Sequence, residues 1–397
     1  MNDYNLIEEF EEDFRLLESD DNSSHSEDEN DRQTRLGNLR TFYSQRRKIF
    51  ELFDDEKTRK TFRFDKPSIM YITNLLTPFL KVRITKAKRR ITPFDQVLIA
   101  LQFYGTGTFQ TVVGNVLKYS QATVCRSIHD VSRALCMIAR DHINFPPNLL
   151  QLKREFAEIA RIPGIIGCID GTHIRLQRPH QHEYAFVNRK GYHSINVQGV
   201  CDANGRFLSV NATKPGSVHD STMFKTSALG LQCAQGEFGE GFLLGDSGYG
   251  CTTYLITPFN IPSNDEEVAY GDCLLTICND GLSAFLLKEK FNRSHKRTRC
   301  IIERAFGAVK RRFHCLHGEI RVQPQRACKI ILACFVLNNI ALERKQPDFD
   351  DDIEEGELFE CMMPRTNVPE PSNQQDARAR RLGFEKRRRI ARNLFGR

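Results

Sequence analysis

The sequence predicts a mixed α/β sheet with flanking helices, preceded by an all-α, helix-turn-helix-like domain. Three observations carry that expectation. Apolar residues recur at helical spacing through 66–142, as in helices with one buried face. Short, nearly continuous apolar runs at 165–170 and 241–246 have the length and texture of strands buried on both faces. An amphipathic stretch at 299–313 then lines up Ile302, Phe306, Val309 and Phe313 on one side. Strands followed by helices that can cover them give a layered α/β architecture.

Residues 1–37 are acidic and rich in Ser and Asn, with too little apolar surface to bury, and are expected to be a disordered tail. Residues 38–148 make up the helical domain. In it, Pro67 opens a helix with Ile69, Ile72, Leu75 and Leu76 on one face. Pro93 opens another with Val97, Leu98, Leu101 and Tyr104 inward, closed by Gly105-Thr106-Gly107. Two further helices, at 109–117 and 121–138, flank the turn Lys118-Tyr119-Ser120, with Ser120 placed to cap the second. So short a junction matches a helix-turn-helix, whose second helix would offer Gln121, Thr123 and Arg126 to DNA bases. Many helical pairs with no DNA role share the pattern.

Pro146-Pro147 marks a linker, followed by a connecting helix at 149–160. Strands are expected at 165–170, 192–201 and 207–212, the last two separated by the turn residues Asp202-Ala203-Asn204-Gly205. A helix at 221–229, a strand at 241–246 and the helix at 299–313 complete the sheet domain. Its first three strands can form a meander, and the fourth can return beside the first.

Composition narrows the function classes. The thirteen cysteines include no CxxC pair and sit mostly in apolar segments, where a thiol acts as a small hydrophobe. Reduced cysteines in the nucleus or the cytoplasm are expected. The pairs Cys315/His317 and His180/His182 are too sparse to argue for zinc. No secretory signal is expected from the acidic start. No window approaches the roughly eighteen uninterrupted apolar residues of a membrane helix, and the richest, 330–340, contains Asn338 and Asn339.

The net charge of +7 hides a strong polarity. Residues 1–31 hold thirteen acids against Arg15, 348–360 hold eight acids and no base, and 377–397 hold nine Lys and Arg against Glu385. The remaining body, 32–347, is left at about +20, which points to a polyanion and to nucleic acid first.

Asp170 closes the first predicted strand and Asp246 the fourth. With the fourth strand beside the first, both carboxylates emerge at one edge and repel each other unless a cation lies between them. A hard divalent ion suits oxygen ligands. Glu303, at the border of the buried face of the 299–313 helix, can supply another. Two such ions about 4 Å apart can activate a water or a 3′-hydroxyl and stabilise the leaving oxygen of an in-line phosphoryl displacement. A lone aspartate near a strand end is usually a cap or a turn residue; strand-end acids within a basic body argue for more.

The segments Gly167-Cys-Ile-Asp-Gly-Thr-His173, Pro215-Gly-Ser-Val-His-Asp-Ser221, Leu244-Gly-Asp-Ser-Gly-Tyr249 and Ile302-Glu-Arg-Ala-Phe-Gly307 occur in that order. With Asn188-Arg-Lys-Gly191 and Phe291-Asn-Arg-Ser-His295, they resemble the DDE endonuclease domain of PIF/Harbinger transposases and the host-derived Harbinger transposase-derived nucleases. The resemblance covers roughly 160–340 and implies an RNase H-like nuclease domain at 160–345. It also implies DNA strand cleavage and transfer dependent on Mg²⁺ or Mn²⁺, with Asp170, Asp220, Asp246 and Glu303 as catalytic and metal-binding acids. Which of Asp220 and Asp246 is the middle member of the triad stays open. Topology favours Asp246, while Asp220 follows His219 at a helix start. Basic residues expected to touch DNA are Arg189, Lys190, Arg304, Lys310 and Arg311. The resemblance further implies a separate Myb/SANT-like DNA-binding partner; self-association into a homo-oligomer stays open.

One departure stands out. Asp246 and Glu303 are 57 residues apart, where similar proteins show about thirty-five, the spacing that brings both acids to one metal site. The excess falls near 269–288 and is expected to be either an added loop or a retained intron. Residues 346–397 read as an acidic, then basic, tail. Its clusters Arg378-Ala-Arg-Arg381 and Lys386-Arg-Arg-Arg389 are spaced like a bipartite nuclear-import signal, and equally suit a DNA-phosphate arm or a solvated helix face. The leading functional expectation is a DNA endonuclease. The alternative is a host-retained, non-cutting DNA-binding or scaffolding protein, and a phosphohydrolase of small substrates fits the basic body worst.

Overall fold

The computed structural model describes residues 49–80, 91–260, 281–349 and 374–396. The acidic segment 1–37, residues 350–373 of the tail and the 269–280 part of the expected insertion lie outside the described residues. Residues 281–288, assigned to that insertion from sequence, are helical and open the long helix that carries Glu303.

Five strands form one mixed sheet: β1 (Ile165–Arg175), β2 (Ser194–Cys201), β3 (Phe207–Pro215), β4 (Phe242–Leu244) and β5 (Leu255–Ile256), in the order β3-β2-β1-β4-β5. The first three are an antiparallel meander, and β4 and β5 run parallel to β1. The fourth strand therefore returns beside the first, as its apolar run suggested. The two-residue β5 is too short to leave a sequence pattern.

Asp170 does not end β1. The strand continues to Arg175 because 170–175 pair with the first six residues of β2, from Asp170↔Gly199 to Arg175↔Ser194. Pairing with β4 stops earlier, at Cys168↔Leu244. Past that point β1 has a neighbour on one side only, and Asp170 stands at the opening. Polar Thr172 and His173 interrupt the apolar run, so hydrophobicity alone gives too short a strand.

The helices of the N-terminal region are capped as their sequences suggest. Asp54 and Asp65 accept backbone N–H groups at the starts of α1 (Asp55–Phe62) and α2 (Lys66–Leu76). Thr92 and Asp95 form a reciprocal capping box on α3 (Pro93–Thr106). The pair α4 (Gln110–Leu117) and α5 (Gln121–Met137) flanks a three-residue turn, and Ser120 Oγ accepts the Thr123 N–H at 3.3 Å. A connecting helix, α6 (Leu150–Ala160), leads into the sheet. The stretch expected as one helix at 221–229 is two, α7 (Asp220–Lys225) and α8 (Ala228–Gln235), broken where Ser227 caps the second.

The long helix α9 (Gly281–Arg312) lies against β1 and β2, and α10 (Pro324–Glu343) packs between α5 and β3. By length and composition α10 could cross a membrane, contrary to the sequence expectation, yet 78% of its apolar window is buried inside the protein. Asn339 helps explain the location. Asn339 accepts the Phe207 N–H at 3.0 Å and donates to Phe207 O at 2.7 Å and His142 O at 2.9 Å. Through α10 one continuous hydrophobic core joins the N-terminal helices to the sheet. Within the expected tail, α11 (Gln374–Phe395) packs on α9 and β5.

Candidate active site

The site forms where β1, β4, α7 and α9 converge. Because Cys168 is opposite Leu244 in parallel pairing, Asp170 and Asp246 each follow by two residues and reach the same level of the sheet. Asp246 accepts the Gly248 N–H on Oδ1 at 2.9 Å, an Asx turn that fixes the loop after β4. Tyr249 of the same loop is buried and accepts from Gln198 Nε2 at 3.0 Å.

Asp220 opens α7 against the neighbouring strand. Its carboxylate accepts from Asn196 Nδ2 at 2.7 Å, and its backbone carbonyl accepts from Gln198 Nε2 at 3.1 Å. A Cβ placed on Gly171 would come 2.5 Å from Asp220 Oδ1, so a side chain there would push the Asp220 carboxylate out of its present place beside the residue after Asp170. This contact gives the Asp-Gly of the first motif a physical reason. Gln198 links the Asp220 and Asp246 segments.

Glu303 enters from α9, four residues after Arg299. Arg299 was not anticipated from sequence, although its i,i+4 spacing to Glu303 could have pointed to it. Its Nη1 donates to Asp170 Oδ2 at 3.0 Å and its Nη2 donates to Glu303 Oε1. The side chains of Arg299, Asp170 and Glu303 are only 14%, 8% and 8% exposed, so these charges interact away from bulk water. Burial opposes the guanidinium charge, but Asp170, Glu303 and Asp246 together outweigh it and raise the Arg299 pKa well above its usual value.

The expected acids are linked in pairs: Asp170 with Glu303 through Arg299, Asp170 with Asp246 through strand register, and Asp220 across Gly171. Among the described residues no three His, Cys, Asp or Glu side chains are grouped to hold a metal ion. The positive charge between Asp170 and Glu303 is the guanidinium itself. Carboxylate oxygens are the donors a hard divalent ion would take; here Asp170 and Glu303 are bridged by Arg299 instead.

A second row of polar residues on α9 holds the helix to the strand ends. Asn292 donates to Phe259 O and accepts from Phe259 N, and buried His295 hydrogen-bonds Ile256 O through Nε2 at 3.2 Å. Burial pushes the His295 imidazole down from 6.5 to about 3, so the folded protein keeps it neutral. The unfolded chain protonates it below pH 6.5 and the folded chain does not. Its contribution to stability is therefore intact above that pH and is lost as pH falls toward 3, at about 1.4 kcal/mol per pH unit. Urea unfolding at pH 7, 6 and 5 is expected to show a shallower pH dependence for His295→Gln than for wild type.

The other expected DNA contacts are dispersed. Arg189 and Lys190 are exposed in the turn before β2, and Arg304 is exposed and Lys310 and Arg311 half-buried on α9. Gln121 and Arg126 are exposed and Thr123 half-buried at the start of α5, on a helix that packs with α3, α4 and α10. Gln121 lines a surface groove of about 430 Å³ with Phe109, Arg321 and Arg326, and the Arg321 guanidinium lies 4.4 Å from the Phe109 ring centre.

Comparison with known proteins extends these observations. A family described as DDE superfamily endonuclease matches residues 169–339. The Bos taurus protein named "Putative nuclease HARBI1" is 36% identical over 302 residues, spanning 74% of this chain and 80% of the relative. The Homo sapiens protein of that name is 35% identical over 302 residues with the same coverage. The Arabidopsis thaliana "Protein ALP1-like" is 25% identical over 273 residues, 65% of this chain and 62% of the relative. No solved structure matches.

Proposed function

The chain belongs to the Harbinger transposase-derived nuclease family, with a DDE superfamily endonuclease domain, and from that premise we propose that it is a divalent-metal-dependent DNA endonuclease. The observation that carries this reading is the gathering of Asp170, Asp246 and Glu303 around the buried guanidinium of Arg299, with Asp220 beside Asp170 across Gly171. The strand order and the mixed pairing support an RNase H-like fold for 160–345. Asp170, Asp246 and Glu303 would hold the metal, and Asp220 would add a ligand or orient Asp170 across Gly171. When bound, Mg²⁺ or Mn²⁺ would supply charge for a water or 3′-hydroxyl attacking a DNA phosphodiester.

The protein's own residues prepare that site. Asn196 and Gln198 fix Asp220, the Asx turn fixes Asp246, and Asn292 and His295 anchor the helix that presents Glu303. Arg299 holds Asp170 and Glu303 together; were the carboxylates to take a metal, its guanidinium would be a charged donor suited to a phosphate. Arg189, Lys190, Arg304, Lys310 and Arg311 would contact the DNA backbone. The α4–α5 pair would serve as a helix-turn-helix, with Gln121, Thr123 and Arg126 toward the bases. A separate Myb/SANT-like protein and a nuclear location complete the proposal.

A non-cutting DNA-binding role is the second reading, and the ion pairs of Arg299 favour it, because they already neutralise two of the acids. Nicking of supercoiled plasmid separates the two. The endonuclease reading expects cutting by wild type with Mg²⁺ or Mn²⁺, none with chelator, and none by Asp170→Asn or Glu303→Gln. Wild type that binds plasmid yet leaves it intact with either metal contradicts it.

A further inference from the structure

We propose that the outer face of the C-terminal helix α11 is a docking surface for the phosphate backbone of duplex DNA. The proposal rests on the reading of DNA as substrate. Its first support is the division of labour among the basic residues of this helix. Arg387 is buried, donates from Nη1 to Thr257 O at 3.1 Å and Pro258 O at 2.6 Å, and lies 4.1 Å from the Phe259 ring centre. Lys386 Nζ donates to Thr253 O at 2.7 Å and Glu240 O at 3.3 Å. Buried Arg380 donates to Asp376, which also accepts from Lys225 Nζ at 2.8 Å. Gly383 presses on the backbone of Thr252, where an added Cβ would fall 2.6 Å from Thr252 Cα. These contacts seat the helix on the segment that follows the Asp246 loop.

The opposite face is a row of arginines. Arg378, Arg381, Arg388, Arg389 and Arg392 are exposed, and at 3.6 residues per turn they fall within an arc of about 100°. The one acid among them is Glu385. From 378 to 392 the row extends ~21 Å at 1.5 Å per residue, the length over which a duplex presents roughly twelve phosphates. Such a row, seated against the strand that follows Asp246, complements a polyanion.

The docked helix also bears on the import reading of these clusters. Arg380, Lys386 and Arg387 are three of the basic residues an import receptor would need, and all three are committed to holding the helix down. A receptor reading both clusters would have to detach it. Duplex DNA needs only the outward row.

The test uses the full chain with a fluorescent 30-base-pair duplex, measuring affinity by anisotropy over a series of salt concentrations. The variant is Arg378→Gln, Arg381→Gln, Arg389→Gln and Arg392→Gln combined; all four positions are exposed, so its melting temperature should match wild type. We expect at least a tenfold loss of affinity near 0.15 M salt and a salt slope shallower by roughly 3 to 4, close to 0.9 for each lost phosphate contact. Unchanged affinity and slope overturn the proposal, as does a loss of nuclear accumulation in cells with DNA affinity intact, which would assign the row to an import receptor. The nuclease reading fails separately: wild type that never nicks but whose affinity depends on the row leaves this proposal standing. Nicking that persists with row-independent affinity leaves only the nuclease reading.

Discussion

Asp170→Asn is expected to lower plasmid nicking by roughly a thousandfold, equivalent to about 4 kcal/mol of transition-state stabilisation, while DNA affinity stays within a few-fold. Asp170 stands just beyond the point where β4 leaves β1, and its Oδ2 accepts from Arg299. The amide keeps the side-chain shape and loses the charge. Its NH₂ must face either the Gly171 N–H, now accepted by Oδ1 at 2.9 Å, or the guanidinium. One donor therefore meets another, at about 1–3 kcal/mol of stability. Rate, affinity and urea midpoint measured on the same preparation separate the chemical effect from this structural one. A loss of affinity as large as the loss of rate would mean that Asp170 acts in binding, contrary to its assignment.

Arg299→Gln is expected to destabilise the metal-free protein by about 3–5 kcal/mol, since it leaves buried carboxylates without their cation. Asp170 and Glu303 are each 8% exposed and lose a charged donor at the same time. Divalent metal should restore much of that stability, because the space between the carboxylates then takes the ion directly. Urea unfolding of the variant in chelator and in millimolar Mn²⁺ checks both halves. Equal stability of variant and wild type in chelator would mean that the guanidinium contributes nothing to holding the acids together.

The candidate acids were legible in the sequence, while the partners that position them were not. The apolar run ending in Leu244 was enough to return β4 to the side of β1, and register then put Asp246 level with Asp170. Motif order supplied Asp220 and Glu303, but not their partners. Nothing in the pattern distinguishes Asn196 and Gln198, polar residues facing Asp220 from inside a fully buried strand. Arg299 read from sequence as a polar position on an amphipathic helix and His295 only as part of a motif before it, because periodicity records which face is apolar and not what a buried polar group binds. The same limit hid α11. Its basic clusters suggested a tail, while the docking depends on backbone carbonyls at 253, 257 and 258, which have no sequence signature. Asn339 interrupts the apolar character of α10, yet its three backbone contacts join residues up to 197 positions apart.

Binding of Mn²⁺, followed by its electron paramagnetic resonance spectrum, tests most directly whether these acids form one cation site. Wild type is expected to bind Mn²⁺ saturably. Asp170→Asn, Asp246→Asn and Glu303→Gln should each weaken that binding strongly, and Arg299→Gln should strengthen it by removing the competing charge. Mn²⁺ binding that is absent from wild type, or unaltered by all three acid substitutions, would contradict the account.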